Sequence, residues 1–216
     1  MNASPNRMIK SPKRPLDKCL RQRDDGHVNQ LLMPMNKISV LATVAAMALS
    51  ALPLAAQQKR TSPHETVSSV IDGSRVTITY GRPYTKDPRS GETRKIWGGL
   101  VPYGKVWRTG ADEATTLITE KPLVFGDVTV PAGAYSLYTL PQEDGTAKLI
   151  INKEIGQWGM RYEEAQDLAR VDLKKEPLSP TADQLSIAVA KDSAGGGVIK
   201  IMWEDTQYSV PFTVQK

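Results

Sequence analysis

The chain has 216 residues, with 28 lysines and arginines against 23 aspartates and glutamates, a formal net charge of +5 and a hydrophobic fraction of 40%. This ordinary globular composition, with 16 glycines, 15 prolines and one cysteine, excludes collagen-like, disulfide-stapled and wholly disordered chains. The charge excess lies in residues 1–56, which carry eight basic and three acidic side chains. Residues 57–216 carry twenty of each sign, so we expect no nucleic-acid partner.

An uncharged run of 15 residues at 38–52 dominates the N-terminal part of the chain. It follows Lys37 and is followed by Pro53 and the small residue pair Ala55 and Ala56. A basic start, a short apolar run and a small-residue exit are typical of a secretory signal peptide, and the run is shorter than the roughly 20 apolar residues of a membrane span. We therefore predict a signal peptide at residues 35–56, cleaved after Ala56, with a short buried helix or a retained anchor as alternatives.

The segments around this signal complete the predicted organisation. Residues 1–34 are interpreted as an over-extended translation start or a disordered leader, because their polar, proline-rich composition cannot bury enough apolar surface to fold. Residues 57–62 are expected to be a flexible lead-in, and residues 63–216 a single domain. The only cysteine, Cys19, lies in the removed part. We expect an exported, soluble protein without disulfides, periplasmic or extracellular, with no stable membrane span after cleavage.

The remaining chain shows mostly period-two patterns with β-branched and aromatic residues, which favour strands. Strands are predicted at residues 75–80, 115–119, 123–125, 128–130, 134–140, 147–152, 184–190, 198–203 and 208–214. Turns are predicted at 192–197 and 204–207, and one short helix at 162–170, which is rich in good helix formers. The expected fold is all-β, an antiparallel β-sandwich of jelly-roll or Greek-key type with one short helix near 160–170.

The reactive side chains of residues 57–216 exclude several chemistries. His64 is their only histidine and they contain no cysteine, so a Cys/His zinc site and a cysteine nucleophile are impossible. We expect His64 to be a surface residue at a strand start and not a catalytic base. A catalytic base must be held rigidly, and His64 lies next to the expected flexible lead-in. No catalytic residue, metal site or cofactor is predicted.

Residues 94–115 are the densest mixture of aromatic and charged side chains in the sequence. Such loops often bind ligands, because aromatic rings give flat apolar contact and charges orient polar groups. Either tryptophan could stack on a sugar ring; alternatively both are core residues and Arg108 pairs with an acidic neighbour. The candidate ligand-binding residues in and near this segment are Arg82, Lys95, Trp97, Tyr103, Trp107, Arg108, Asp112 and Glu113.

Acidic pairs are the remaining candidates for acid–base chemistry. Asp112 with Glu113 is the best of them, ahead of the pairs at 163–164 and 204–205. Glycosidases place two carboxyl groups roughly 5–10 Å apart across the substrate. Adjacent residues of a strand point to opposite faces, so Asp112 and Glu113 would share a pocket only if the loop bends.

Three motifs carry a family resemblance. They are KIWGGLVPYGKVWRTGADEAT at 95–115, PAGAYSL at 131–137 and QWG at 157–159. The chain, over roughly residues 62–214, resembles a bacterial family of secreted proteins catalogued as domain of unknown function 2911. Asp112 stands where that family often has asparagine. The resemblance implies export and a single domain, but no activity.

Three functional hypotheses remain open from the sequence. The first is a non-catalytic module that binds a small polar ligand or a glycan through residues 94–115. The second is a hydrolase that uses Asp112 or Glu113. The third is a structural module of the cell envelope, which a broad apolar surface patch would favour. The absence of an evident nucleophile and base favours a function other than catalysis.

Overall fold

The regular structure of this protein consists almost entirely of antiparallel strands. A computed structural model describes residues 60–216, and the predicted signal peptide at 35–56 and the segment 1–34 lie outside this part. The described residues form nine strands: β1 (His64–Ile71), β2 (Ser74–Gly81), β3 (Thr115–Thr119), β4 (Leu123–Phe125), β5 (Val128–Val130), β6 (Gly133–Pro141), β7 (Ala147–Asn152), β8 (Asp167–Lys191) and β9 (Gly197–Val214). The prediction of an all-β, antiparallel fold is confirmed.

Backbone hydrogen bonds join the nine strands of the described region into one open sheet. The strand order is β1-β2-β3-β6-β7-β8-β9-β4-β5. The β4–β5 hairpin follows β3 in the chain but does not pair with it. It pairs instead with the end of β9, where Leu123 lies opposite Val214. The chain therefore runs from one part of the sheet to its far edge and back between β3 and β6.

The sheet curls so that two of its parts enclose one core. Strands β2 and β8 are not neighbours in the strand order, yet the backbone N–H of Ile187 donates to the Tyr80 hydroxyl over 2.8 Å. The chain after β2 also pairs with β8, since Thr85 N donates to the Asp183 carbonyl at 2.7 Å. These contacts bring β8 back beside β2, so the one open antiparallel sheet curls around the core.

Alternating burial along the strands builds the core. In β2, Val76, Ile78 and Tyr80 point inward while the residues between them do not. In β9 the buried positions change phase between Trp203 and Tyr208, because Glu204 takes a φ of +57° and forms a bulge. The turn predicted at 204–207 is therefore a bulge inside one continuous strand.

The helix predicted at 162–170 is reduced to a single 3-10 turn at Glu164–Gln166. The residues after it belong to β8, where Arg170 lies opposite Ile150 of β7. The helix-forming side chains of this stretch are overridden because its backbone completes the ladder with a buried strand. Strands β2 to β7 begin and end within one residue of the predicted bounds. No strand range was predicted for β1 or for the first half of β8, and β9 joins two predicted strands into one.

Candidate functional site

Aromatic rings at the centre of the core include two of the predicted ligand-binding residues. Trp107 stacks on Trp203, with ring centroids 5.9 Å apart and an interplanar angle of 22°. Trp97 meets Trp107 edge-on at 6.1 Å and Tyr208 edge-on at 5.2 Å. Trp97 and Trp107 are each only 7% exposed. A ligand cannot stack on the Trp107 ring while the core stays closed, because both the ring and its neighbours are buried.

A broad cleft opens above this aromatic cluster. Its volume is about 810 Å³, which is within the range of small-molecule sites. Three of the predicted residues line it: Lys95, Trp97 and Tyr103. The other lining residues come from the β6–β7 turn and from the middle of β8 and β9, namely Asp144, Gly145, Thr146, Leu173, Lys175, Glu176, Pro177, Glu204, Asp205 and Thr206.

The lining of this cleft is rich in carboxylates. Four acidic side chains face two lysines, so the charge of the cleft is net negative. Burial raises the pKa of Glu204, and the neighbouring Asp205 carboxylate adds to that effect. Lys174 donates a hydrogen bond to Glu176 and lowers the pKa of that carboxyl. The cleft thus holds carboxyl groups whose proton affinities are pushed in opposite directions.

Sequence reasoning identified only one side of this cleft. The acidic pair at 204–205 is a weaker candidate than Asp112 with Glu113 in the sequence, and Asp144, Lys175 and Glu176 are not candidates there. No sequence pattern marks these residues as neighbours, because they lie on separate turns and strands that meet only through the strand order. The bulge at Glu204 aims the acidic pair at the cleft, and no period-two pattern predicts that bulge.

A second group of predicted residues lies in the loop 107–113, which is fixed against β2 and β6. The backbones of Trp107 and Thr139 exchange two hydrogen bonds of 2.8 Å. Thr109 is held at a φ of +55°, with its hydroxyl 2.7 Å from that of Thr139. Gly81 lies so close to the Ala111 carbonyl that a side chain there would overlap it. The loop is therefore rigidly placed.

This loop brings the two adjacent carboxylates together with the single histidine of the domain. Asp112 has a φ of +65°, so the strand alternation that would separate it from Glu113 does not apply. His64 Nε2 lies 3.4 Å from Asp112 Oδ2 and 3.4 Å from Glu113 Oε2. His64 does begin β1, as expected. Its proximity to the acidic pair could not be read from the sequence.

Arg60 is inserted into this cluster from the segment before β1. Its Nη2 donates to Glu113 Oε1 at 2.7 Å, and its Nη1 bonds both to Glu113 Oε2 and, at 2.8 Å, to His64 Nε2. These bonds lower the pKa of Glu113 to about 2. Glu113 is therefore ionised at neutral pH and cannot act there as a general acid.

The two arginines among the predicted site residues, Arg82 and Arg108, lie outside the cleft. Arg82 bridges to Glu65 at 3.1 Å and donates to the Leu185 carbonyl at 3.0 Å, which ties β2 to β8. Arg108 is half-buried beside Asp112, and burial lowers the pKa of its guanidinium. Within residues 60–216 its Nε has no hydrogen-bond acceptor. The predicted site residues therefore lie in three places rather than one. These are the cleft, the loop 107–113 beside His64, and the contact of Arg82 with β8.

The QWG motif at 157–159 contacts the motif at 95–115 at the loop 107–113. Gly159 N donates to the Asp112 carbonyl at 3.0 Å, and Ala114 N donates to the Gln157 carbonyl at 3.1 Å. A side chain at Gly159 would overlap the Arg108 side chain. The neighbouring Trp158 is 54% exposed. Two of the three motifs that carry the resemblance are therefore joined through the backbone that presents the acidic pair.

Comparison with known proteins gives a family and no activity. Residues 62–212 match the family described as "Protein of unknown function (DUF2911)". No curated protein and no solved structure matches the chain. Among residues 60–216, no helix has both the length and the apolar character needed to cross a membrane. Since the match covers well over half of the chain, the protein belongs to the DUF2911 family.

Proposed function

We propose that the protein is a non-catalytic binding module for a small polar ligand, such as a glycan, held in the cleft above the aromatic cluster. The observation that carries this proposal is the cleft itself, about 810 Å³ in volume with aromatic and charged side chains along its walls. Tyr103 is part-exposed on one wall and offers a flat face to a sugar ring. The charged groups opposite it would bind hydroxyl or amino groups.

The charge of the cleft narrows the ligand class. Carboxylates outnumber lysines along the walls, so a neutral or cationic ligand fits better than a polyanion. Glu176 is a suitable hydrogen-bond acceptor, because its lowered pKa keeps it ionised. An amino sugar would satisfy both the ring contact and the charge.

A glycan array and a thermal-shift screen with the full chain would test the proposal. We expect at least one glycan to bind and to raise the melting temperature. Glu176→Gln and Tyr103→Ala should each reduce the apparent affinity for that glycan at least tenfold. Tyr84→Ala is the matched control, because Tyr84 is exposed at 39% and does not line the cleft. Binding that survives both cleft variants, or a screen without any stabilising ligand, would refute a role for the cleft.

A second candidate function is carboxylate-dependent hydrolysis in the same cleft. Its support is Glu204, whose raised pKa is the property that a general acid needs, beside a second carboxylate at Asp205. The pair Asp112 and Glu113 suits this chemistry less well, since Glu113 is held ionised by Arg60. Chromogenic glycosides would be the assay. Turnover lost in both Glu204→Gln and Asp205→Asn would support hydrolysis, and turnover retained in either would exclude this pair.

Export is the second part of the proposal. The support is the sequence alone: the uncharged run at 38–52 between Lys37 and the small residues at 55–56. Fusing residues 1–62 to a reporter enzyme that is active only outside the cytoplasm would test it. Reporter activity should disappear when Val44→Asp and Ala46→Asp interrupt the run. Activity that persists in this double variant would contradict the signal peptide.

A further inference from the structure

Three donor atoms of two kinds converge where the loop 107–113 meets β1. His64 contributes an imidazole nitrogen, and Asp112 and Glu113 each contribute a carboxylate oxygen. All three atoms lie within 4.8 Å of one another. One imidazole and two carboxylates form a donor set that zinc and manganese both accept. The set comes from two different elements, so it is a product of the fold and not of local sequence.

The position at the centre of these atoms already holds a positive charge. Arg60 Nη1 lies 2.8 Å from His64 Nε2, bonds to Glu113 Oε2, and lies 3.9 Å from Asp112 Oδ2. Because a guanidinium only donates hydrogen bonds, His64 Nε2 must accept, so its lone pair points at the centre. A metal ion needs the same unprotonated nitrogen in the same direction.

Asp112 gives an independent indication that the arginine does not satisfy the cluster. Its Oδ2 is shielded from solvent and has no hydrogen-bond partner within the described residues. The nearest cationic nitrogen, Arg60 Nη1, is 3.9 Å away, beyond hydrogen-bond distance. A buried carboxylate oxygen without a partner is costly, and a cation closer than the guanidinium would relieve that cost.

Arg60 can leave without disturbing the core. Its side chain is 49% exposed and it precedes the first strand. Arg60 is not a core residue, and solvent screens an ion pair this exposed, so its loss leaves the fold intact. Once Arg60 has left, the two carboxylates exceed the charge of the neighbouring Arg108, so the cluster attracts a cation. A cavity of about 260 Å³, lined in part by His64 and Glu113, leaves room for water or a ligand beside it.

We propose that His64, Asp112 and Glu113 form a binding site for a divalent transition metal of the zinc or manganese class, and that Arg60 is a built-in cation that competes for it. Three protein ligands leave coordination positions open toward the cavity. This site is separate from the cleft and does not depend on the function proposed for that cleft.

Isothermal titration of zinc chloride and manganese chloride into the full chain tests this proposal. Zinc binding elsewhere, such as at Cys19, is common to all variants, so the comparison between variants decides. We expect Arg60→Ala to bind at least one of these ions at least tenfold more tightly than the unchanged chain. Adding Glu113→Gln or His64→Asn to Arg60→Ala should weaken that binding at least tenfold. Adding Glu120→Gln instead, which removes an exposed carboxylate paired with Arg75, should leave it unchanged.

Nuclear magnetic resonance of the histidine ring nitrogens gives a second measurement that does not depend on comparing affinities between variants. Zinc should shift the Nε2 resonance of His64 in the Arg60→Ala chain, because that nitrogen would be coordinated. An unshifted resonance at saturating zinc, with no tenfold gain in manganese affinity in Arg60→Ala either, would overturn the proposal. Equal affinity of Arg60→Ala with and without Glu113→Gln would also overturn it, since the cluster would then not be the binding site.

Discussion

Replacing Trp107 by alanine removes a ring that the structure places in the core, and the cost of that change decides whether the residue is structural. Trp107 is 7% exposed and stacks on Trp203 while Trp97 meets it edge-on. Deleting a buried tryptophan side chain costs about 3–5 kcal/mol, to which the two aromatic contacts contribute about 0.5–1.5 kcal/mol each. We therefore expect the free energy of unfolding to fall by about 4 kcal/mol.

Urea denaturation followed by the fluorescence of the remaining tryptophans measures this loss. If the free energy of unfolding falls by about 2 kcal/mol per molar urea, the urea concentration at the unfolding midpoint should fall by about 2 M. Trp158→Ala is the matched control, because that ring is 54% exposed, and it should change the free energy of unfolding by less than about 0.5 kcal/mol. A cost below about 1 kcal/mol for Trp107→Ala would refute its placement in the core and restore it as a candidate ligand contact.

Three further changes test other parts of the structure. Tyr80→Phe should destabilise the fold by about 1–3 kcal/mol, because it leaves the buried N–H of Ile187 without its acceptor; amide hydrogen exchange at Ile187 should speed up accordingly. Gly81→Ala should lower the melting temperature by several degrees, since its methyl group would overlap the Ala111 carbonyl and overpacking costs about 1–3 kcal/mol. Glu204→Gln should stabilise the protein at pH 7, because burial raises the pKa of Glu204 in the folded state and its charged form opposes folding. That gain should shrink as the pH falls through the folded-state pKa of Glu204, and vanish below about pH 4, where the glutamate is protonated in both states.

Each of these predictions has an outcome that contradicts it. Unchanged exchange at Ile187 would mean that the Tyr80 hydroxyl is not its acceptor. An unaltered melting temperature in Gly81→Ala would mean that the loop 107–113 is not fixed against β2. A Glu204→Gln chain that is less stable than the unchanged protein at pH 7 would reverse the sign of the pKa argument.

Local patterns were enough to predict strands β2 to β7, but not β1, the first half of β8 or the way in which the strands meet. Strands such as β3 and β7 follow directly from alternation and β-branched residues. The helix predicted near 160–170 failed because β7 needs a partner there, and that need depends on tertiary pairing. The strand order depends on the β4–β5 hairpin reaching the end of β9, which no residue nearby signals.

The candidate sites show the same limit more sharply. Alternation predicted that Asp112 and Glu113 diverge, and a positive φ at Asp112 makes them converge instead. His64 joins them only because β1 begins beside their loop. Trp97 and Trp107 looked like binding residues because sequence cannot distinguish a tryptophan that covers a cleft from one that fills a core.

The pairing of β4 with the end of β9 has a consequence for when the protein can fold. Leu123 pairs with Val130 within its hairpin, but it acquires its second partner only when Val214 has been synthesised. The Tyr80 hydroxyl likewise bonds to Ile187 only after residue 187 has been made. At about 5–20 residues per second, the early strands stay without these partners for several seconds. Such distant contacts also slow the search for the native arrangement. The full set of strand pairs therefore forms only after residue 214 has been synthesised, and strand edges that are still unpaired need protection until then.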